Sequence, residues 1–183
     1  MVSGPTPLDR QWILWHHKKD DNRWGIDSYR KIGPVIKTVE DFWTTTNSIG
    51  TVTHDMFFLM VAGIDPTYEA KQHRSGGAWL YKIHKTVTDN VWLHLCKLLV
   101  TGQITSHPGK ITGISVSPKY SYVTIRVWNS DINLRTTPGF SFSNMPIKNL
   151  ELDSKFIYQP HDPKRKELQK FTYRHPSLPK GET

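Results

Sequence analysis

Apolar and polar residues alternate, or gather into short apolar runs, in six stretches that read as β-strands: 10–18 (RQWILWHHK), 54–64, 77–84, 111–119, 121–129 and 154–160. The stretches 111–119 and 121–129 form an expected hairpin that turns near Pro118–Ser121. Two further stretches carry helical signals. Residues 38–50 (TVEDFWTTTNSIG) open with Thr38 and have Asp41 three residues on, a capping-box start, with Gly50 where a helix would stop. Residues 88–102 (TDNVWLHLCKLLVTG) begin with a capping Thr or Asp, hold apolar residues at helical spacing and end on Gly102. Residues 20–25 (DDNRWG) form a polar turn that carries Trp24 into a loop, and 136–146 have no assignable pattern. No repeat of solenoid or propeller length is present. The sum is an α+β domain, an antiparallel sheet with helices on one face.

Composition narrows the choice of partner. In 183 residues with 37% hydrophobic content, 24 Lys and Arg against 16 Asp and Glu give a net charge of +8, which suits one globular domain with an anionic partner. Seven tryptophans are the unusual number, since an indole fills a core and equally offers a flat face to a base. Most should be core, whereas Trp24, in a polar loop, has less core to fill. Cys96 is the single cysteine, and the start MVSGPTPLDRQW lacks a basic region followed by an apolar one, so a reducing compartment is expected. No apolar run is long enough to cross a membrane as a helix.

The order Trp12, Trp15, loop Trp24, "TVEDFW" ending at Trp43, "GIDPTYE", "GGAW" ending at Trp79, "VWLHL" with Trp92, "ITGISVS" and "IRVW" ending at Trp128 resembles the eukaryotic translation initiation factor 4E family of mRNA cap-binding proteins. The resemblance covers roughly residues 6–161. All seven tryptophans fall where that family characteristically has one, and Tyr68 fills the family tryptophan position that has none here.

The resemblance implies a curved antiparallel sheet with helices on its convex back and a 7-methylguanosine cap in the concave face. N7 methylation leaves guanine a delocalised positive charge, so two aromatic faces, implied here to be Trp24 and Tyr68, gain stacking plus a cation–π term. Guanine N1–H and the exocyclic amine are two donors aimed the same way, and the Glu69 carboxylate would accept both. Trp128 matches the family tryptophan beside the N7 methyl, or else packs in the core. The triphosphate needs cations. Lys119 replaces an arginine usual in the family, Thr124 stands where a lysine is common, and Ala78 where an arginine often precedes the tryptophan. Arg126 shares a strand face with Thr124 and Trp128 and could compensate, or it is simply a solvated strand arginine.

A second surface follows from the same resemblance. Family members dock a partner helix, from a scaffold initiation factor or a repressor, on the back helices. Val39, Trp43 and Leu93 fall on the matching positions, with Lys97 or Leu98 at a further one. The implied organisation is a flexible arm at 1–10, the cap-binding domain at 11–161 and a basic segment at 162–183, which either closes over the phosphates or trails in solution. No cofactor or metal is implied: His16 and His17 put their rings on opposite strand faces, and no Walker loop or G-x-S-x-G occurs. Three readings therefore stand in order: a cytoplasmic factor, present in the nucleus as a second compartment, that binds capped mRNA to promote or repress translation; a member that lost the cap and keeps only helix docking; and a cap hydrolase, for which no acid–base or metal set is present.

Overall fold

The capping box at Thr38 forms as expected. The Thr38 hydroxyl accepts from the Asp41 N–H at 3.1 Å, the Asp41 carboxylate accepts from the Thr38 N–H at 3.0 Å, and helix α1 runs Val39–Ser48. It ends at Ile49 in an extended conformation, so Gly50 is not a left-handed stop. Helix α2 runs Thr88–Val100. Its N-cap is Val87, with no side-chain cap. Asp89 instead reaches outward and accepts from the Val52 N–H at 2.8 Å and the Thr51 hydroxyl at 2.9 Å, which ties the segment after α1 to the start of α2. At the far end Gly102 takes φ +70°, and the Gly102 and Gln103 N–H groups bond back to the Leu99 and Leu98 carbonyls, the paired bonds of a Schellman cap.

The computed structural model describes residues 4–136, 155–162, 164 and 172–174. The strands are β1 (Pro7–His17), β2 (Arg30–Thr38), β3 (Met56–Val61), β4 (Gly77–Ile83), β5 (Ile111–Pro118), β6 (Val123–Asn129), β7 (Lys155–Pro160) and β8 (Thr172–Arg174). They form one eight-stranded sheet in the order β2-β1-β3-β5-β6-β4-β7-β8, and every pairing is antiparallel. All six expected strands are present. β1 begins at Pro7, so residues 7–10 of the expected arm are sheet, with Pro7 opposite Thr38. The unassigned stretch 136–146 lies outside the described residues except for Thr136, as does most of 162–183.

Two strands lack a sequence signal. β2 carries Gly33 at φ +68° and Pro34 in its middle, and its register against β1 shifts between the Trp12–Ile36 and Leu14–Ile32 pairs. Pro in a strand argues for a loop unless the strand lies at the edge, where the missing N–H faces no partner; β2 is an edge. β8, only three residues long, sits in a basic segment too short to show alternation.

Alternation divides the side chains into two layers. Trp12, Leu14, Leu59, Trp79, Ile125 and Val127 point to the side covered by α1 and α2, where Phe42, Trp92, Leu95 and Leu99 complete the main core. The intervening residues Ile13, Trp15, Met56, Phe58, Ala78 and Trp128 form a smaller cluster on the other side. Trp12, Trp15, Trp79, Trp92 and Trp128 are buried, while Trp24 and Trp43 are the exposed pair. This is the α+β arrangement expected, with helices on one face of a curved sheet and the other face left to build a site.

Candidate functional site

His17, the last residue of β1, is fully buried, and its Nε2–H donates to the Arg23 carbonyl at 2.8 Å. That bond folds residues 18–25 back over the strand end. The turn braces itself: the Asp21 carboxylate accepts from Arg23 Nε at 3.0 Å and from an Arg23 terminal nitrogen at 2.7 Å, and these bonds hold its carboxyl well below the usual carboxylate range. At its entrance His16 Nε2 meets Asp55 at 2.9 Å, and the same carboxylate takes the Lys19 N–H. The loop presents Trp24, 56% exposed, with one face lying on the His17 ring at 4.8 Å and 3°.

The second loop is pinned from beneath by another histidine. His73 is buried; its Nδ1–H donates to the Thr67 carbonyl at 2.6 Å, and Nε2 accepts from the Thr112 hydroxyl at 3.1 Å. Burial holds His73 below its ordinary value, so the ring is neutral. Its own carbonyl accepts from His161 Nδ1–H at 3.1 Å. Burial likewise lowers His161, to about 3, with the neighbouring His73 and Arg126 adding to the effect. Fixing Thr67 fixes the next residue: Tyr68 lies on Trp128 at 5.0 Å and 15°, with His161 tilted against it at 5.3 Å.

Trp128 is 1% exposed, and its indole N–H donates to the Ser115 hydroxyl at 2.9 Å. It is therefore a packed residue and also part of the site. Between the loops is a cleft of about 470 Å³ whose lining includes Trp24, Tyr68, Glu69, Lys119, Arg126 and Trp128, over a floor of Tyr29, Met56 and Phe58. All six residues singled out for cap contact thus meet in one place. Glu69 is exposed, and no described residue bonds or pairs with its carboxylate. Arg126 is half-buried, with a buried Nε–H that meets no acceptor among the described residues, and Lys119 is exposed at the end of β5. Chemically the cleft offers flat aromatic faces, one open acceptor and two cations, at a volume typical of small-molecule sites.

One arrangement differs from expectation: Tyr68 rests on Trp128, not across an open slot from Trp24. Sequence reasoning also passed over three histidines, weighing them only as metal ligands. For His17 a signal existed, because it shares strand parity with Trp15 and so faces the cleft side. His73 and His161 carry no such signal, since their roles depend on loop closure.

On the helix side, Trp43 is 39% exposed and meets Phe42 edge-on at 5.4 Å. Val39, one turn earlier on α1, and Leu93 on α2 are half-buried. Lys97 is exposed and Leu98 half-buried on the same helix.

The family model described as Eukaryotic initiation factor 4E matches residues 7–175. The chain belongs to that family. Among initiation factor 4E relatives, eukaryotic translation initiation factor 4E-3 of Caenorhabditis elegans is 29% identical over 145 residues, covering 70% of this chain and 57% of that protein's length. The rice factor NCBP is 25% identical over 170 residues, 88% of this chain and 74% of that one. In three dimensions the chain is similar to C. elegans eIF4E-3 in a complex with the 4E-binding protein Mextli and a cap analog. The TM-score is 0.74 at 21% identity, over 92% of this chain and 99% of that chain. The initiation factor 4E fold is thus this chain's fold. Among the described residues no helix is long and apolar enough to cross a membrane.

Proposed function

We propose that this initiation factor 4E relative binds the 7-methylguanosine cap of mRNA in the cleft, docks a helical partner on α1 and α2, and so recruits or represses the message. The observation that carries the reading is the meeting of Trp24, Tyr68, Glu69, Trp128, Lys119 and Arg126 in one cleft, with an open carboxylate among the rings. Trp24 supplies one stacking face. Tyr68 supplies the other after leaving Trp128, and the base takes its place between the two rings. Glu69 accepts from guanine N1–H and the exocyclic amine, which separates guanine from other flat bases. Trp128 then borders the N7 methyl, and Arg126 and Lys119 take the phosphates. Arg126 brings a guanidinium Nε–H that no acceptor among the described residues satisfies, suited to an anion.

Partner docking is assigned to Val39, Trp43 and Leu93, with Trp43 as anchor and Lys97 or Leu98 at a further position. The two exposed tryptophans lie on opposite faces of the sheet, so cap and partner can be held together. The protein works by binding without chemistry, in the cytoplasm and, as a second compartment, the nucleus. In the proposed organisation the cap-binding domain begins with β1 at Pro7 and includes β8 at Thr172–Arg174, so it takes in the end of the expected arm and part of the basic segment 162–183.

A second reading, an interaction module without cap binding, is favoured by the absence of cations at Thr124 and Ala78 and by the Tyr68–Trp128 stack. The deciding experiment is retention on immobilised 7-methylguanosine triphosphate. Retention with elution by free cap analogue but not by GTP is expected; flow-through with intact partner binding would establish the second reading.

A further inference from the structure

The turn between β5 and β6 runs Lys119-Tyr120-Ser121-Tyr122 and is closed by the Lys119 N–H donating to the Tyr122 carbonyl at 2.8 Å. Tyr120 at its tip is 98% exposed, far more than any other large apolar or aromatic residue described. No described residue stacks on its ring, holds a cation over it or bonds its hydroxyl. A lone exposed tyrosine is unremarkable in itself; its surroundings give this one meaning.

Lys119, the residue before it, already lines the cleft. Two residues after it, Tyr122 carries the Lys82 ammonium over its ring at 5.0 Å. Lys82 lies opposite Thr124 in the β4–β6 pairing, and the adjacent turn adds Lys85. No Asp or Glu occurs in 77–88 or 111–130, the segments of β4, β5 and β6 and their turns. The described carboxylates nearby are engaged elsewhere: Asp55, opposite Pro118, with His16 and the Lys19 N–H, Asp89 with Thr51 and Val52, and Asp131 with Lys110 at the opposite end of the hairpin. Among the described residues this part of the sheet end therefore offers cations with no unengaged carboxylate beside them, and it runs from the cleft wall to a bare aromatic ring. Cations along a backbone track with an aromatic face for stacking are what single-stranded RNA uses, without need of sequence readout.

We propose that the β5–β6 turn is a landing site for the RNA chain immediately beyond the cap, with Tyr120 stacking on a base and Lys82 and Lys119 meeting phosphates. The proposal rests on the cap-binding reading of the cleft and assigns to it a longer substrate, capped RNA in place of the cap nucleotide alone.

The test measures equilibrium binding of the full chain to 7-methylguanosine triphosphate and to a capped, unstructured RNA of about ten nucleotides. Capped RNA should bind at least about fivefold more tightly than the nucleotide, in keeping with one stacked base. Tyr120→Ala should remove that gain and Tyr120→Trp should keep it, both with unchanged affinity for the nucleotide. Lys82→Ala should lower the salt slope for capped RNA by about 0.7, one single-strand phosphate contact. If the nucleotide binds but capped RNA binds no more tightly, or if Tyr120→Ala weakens both ligands equally, the turn proposal fails while the cleft reading stands. An unchanged salt slope in Lys82→Ala overturns the phosphate contact. If the wild-type chain binds neither ligand, the cleft reading fails and the turn proposal falls with it.

Discussion

The imidazole of His17 lies flat against the back of the Trp24 indole, 4.8 Å between centroids and 3° from parallel. Trp24 is thereby the outer leaf of a two-ring stack whose inner leaf is fully buried and anchored to the Arg23 carbonyl. An exposed ring of this kind would otherwise spend conformational entropy on being ordered at the moment a ligand arrives.

Removing the inner leaf tests that preorganisation. His17→Ala should weaken binding of 7-methylguanosine triphosphate by about 0.5–1.5 kcal/mol, the worth of one aromatic pair, whereas His17→Phe should restore the stack and most of the affinity. Calorimetric titration of the three proteins decides. Equal affinity in His17→Ala and the wild type would show that Trp24 needs no backing.

In the proposed cap reading, guanine discrimination depends on Glu69. Glu69→Ala should cost roughly 1.5–3 kcal/mol of cap affinity through loss of a charge-assisted pair of hydrogen bonds. The exposed side chain supports no described packing, so the melting temperature should not move. Tryptophan quenching reads the affinity, and an unchanged value would remove Glu69 from the site.

The two faces should separate by mutation. Trp43→Ala is expected to abolish capture of a docking-helix peptide while retention on cap resin is unchanged, because Trp43 belongs to α1 on the helix side and the cleft lies on the other. A soluble variant that loses both activities would contradict the two-face arrangement.

The histidines beneath Tyr68 predict a pH dependence of stability. Burial holds His161 down to about 3 and lowers His73 in the same direction. Between about 3 and the ordinary histidine value near 6.5, the unfolded chain takes up a proton that the folded chain excludes. Stability should therefore rise with pH through this window and fall on acidification, by at most about 1.4 kcal/mol per pH unit for each such group. Thermal melts from pH 4.5 to 7 measure the slope. His161→Gln, which keeps a donor for the His73 carbonyl, should flatten it; an identical slope would mean that other groups carry the effect.

What the sequence revealed followed from how local each signal is. Thr38 and Asp41 specify the start of α1 within four residues, and β6 declares both of its faces through alternation alone. The cleft residues were readable only because the order of tryptophans resembles a family, since a Tyr-Glu pair in a loop has no intrinsic meaning. β2 stayed hidden because Gly33 and Pro34 are loop residues everywhere except at a sheet edge, and edge position is a global property. The resting place of Tyr68 on Trp128 was equally hidden: it depends on His73 and His161 closing beneath a loop, contacts that span 39 and 88 residues of chain to Thr112 and between the two histidines.

The same irregular edge governs how copies of this protein treat one another. A sheet that ends in an open ladder is a template for a neighbour's strand, and with two faces proposed to bind ligands such growth would be harmful. Along β2 the left-handed turn at Gly33 and the missing donor at Pro34 interrupt that ladder, and exposed Lys31 and Lys37 place like charges on any second copy approaching it. The edge thus resists polymerisation through strand addition and leaves association to the faces shaped for it.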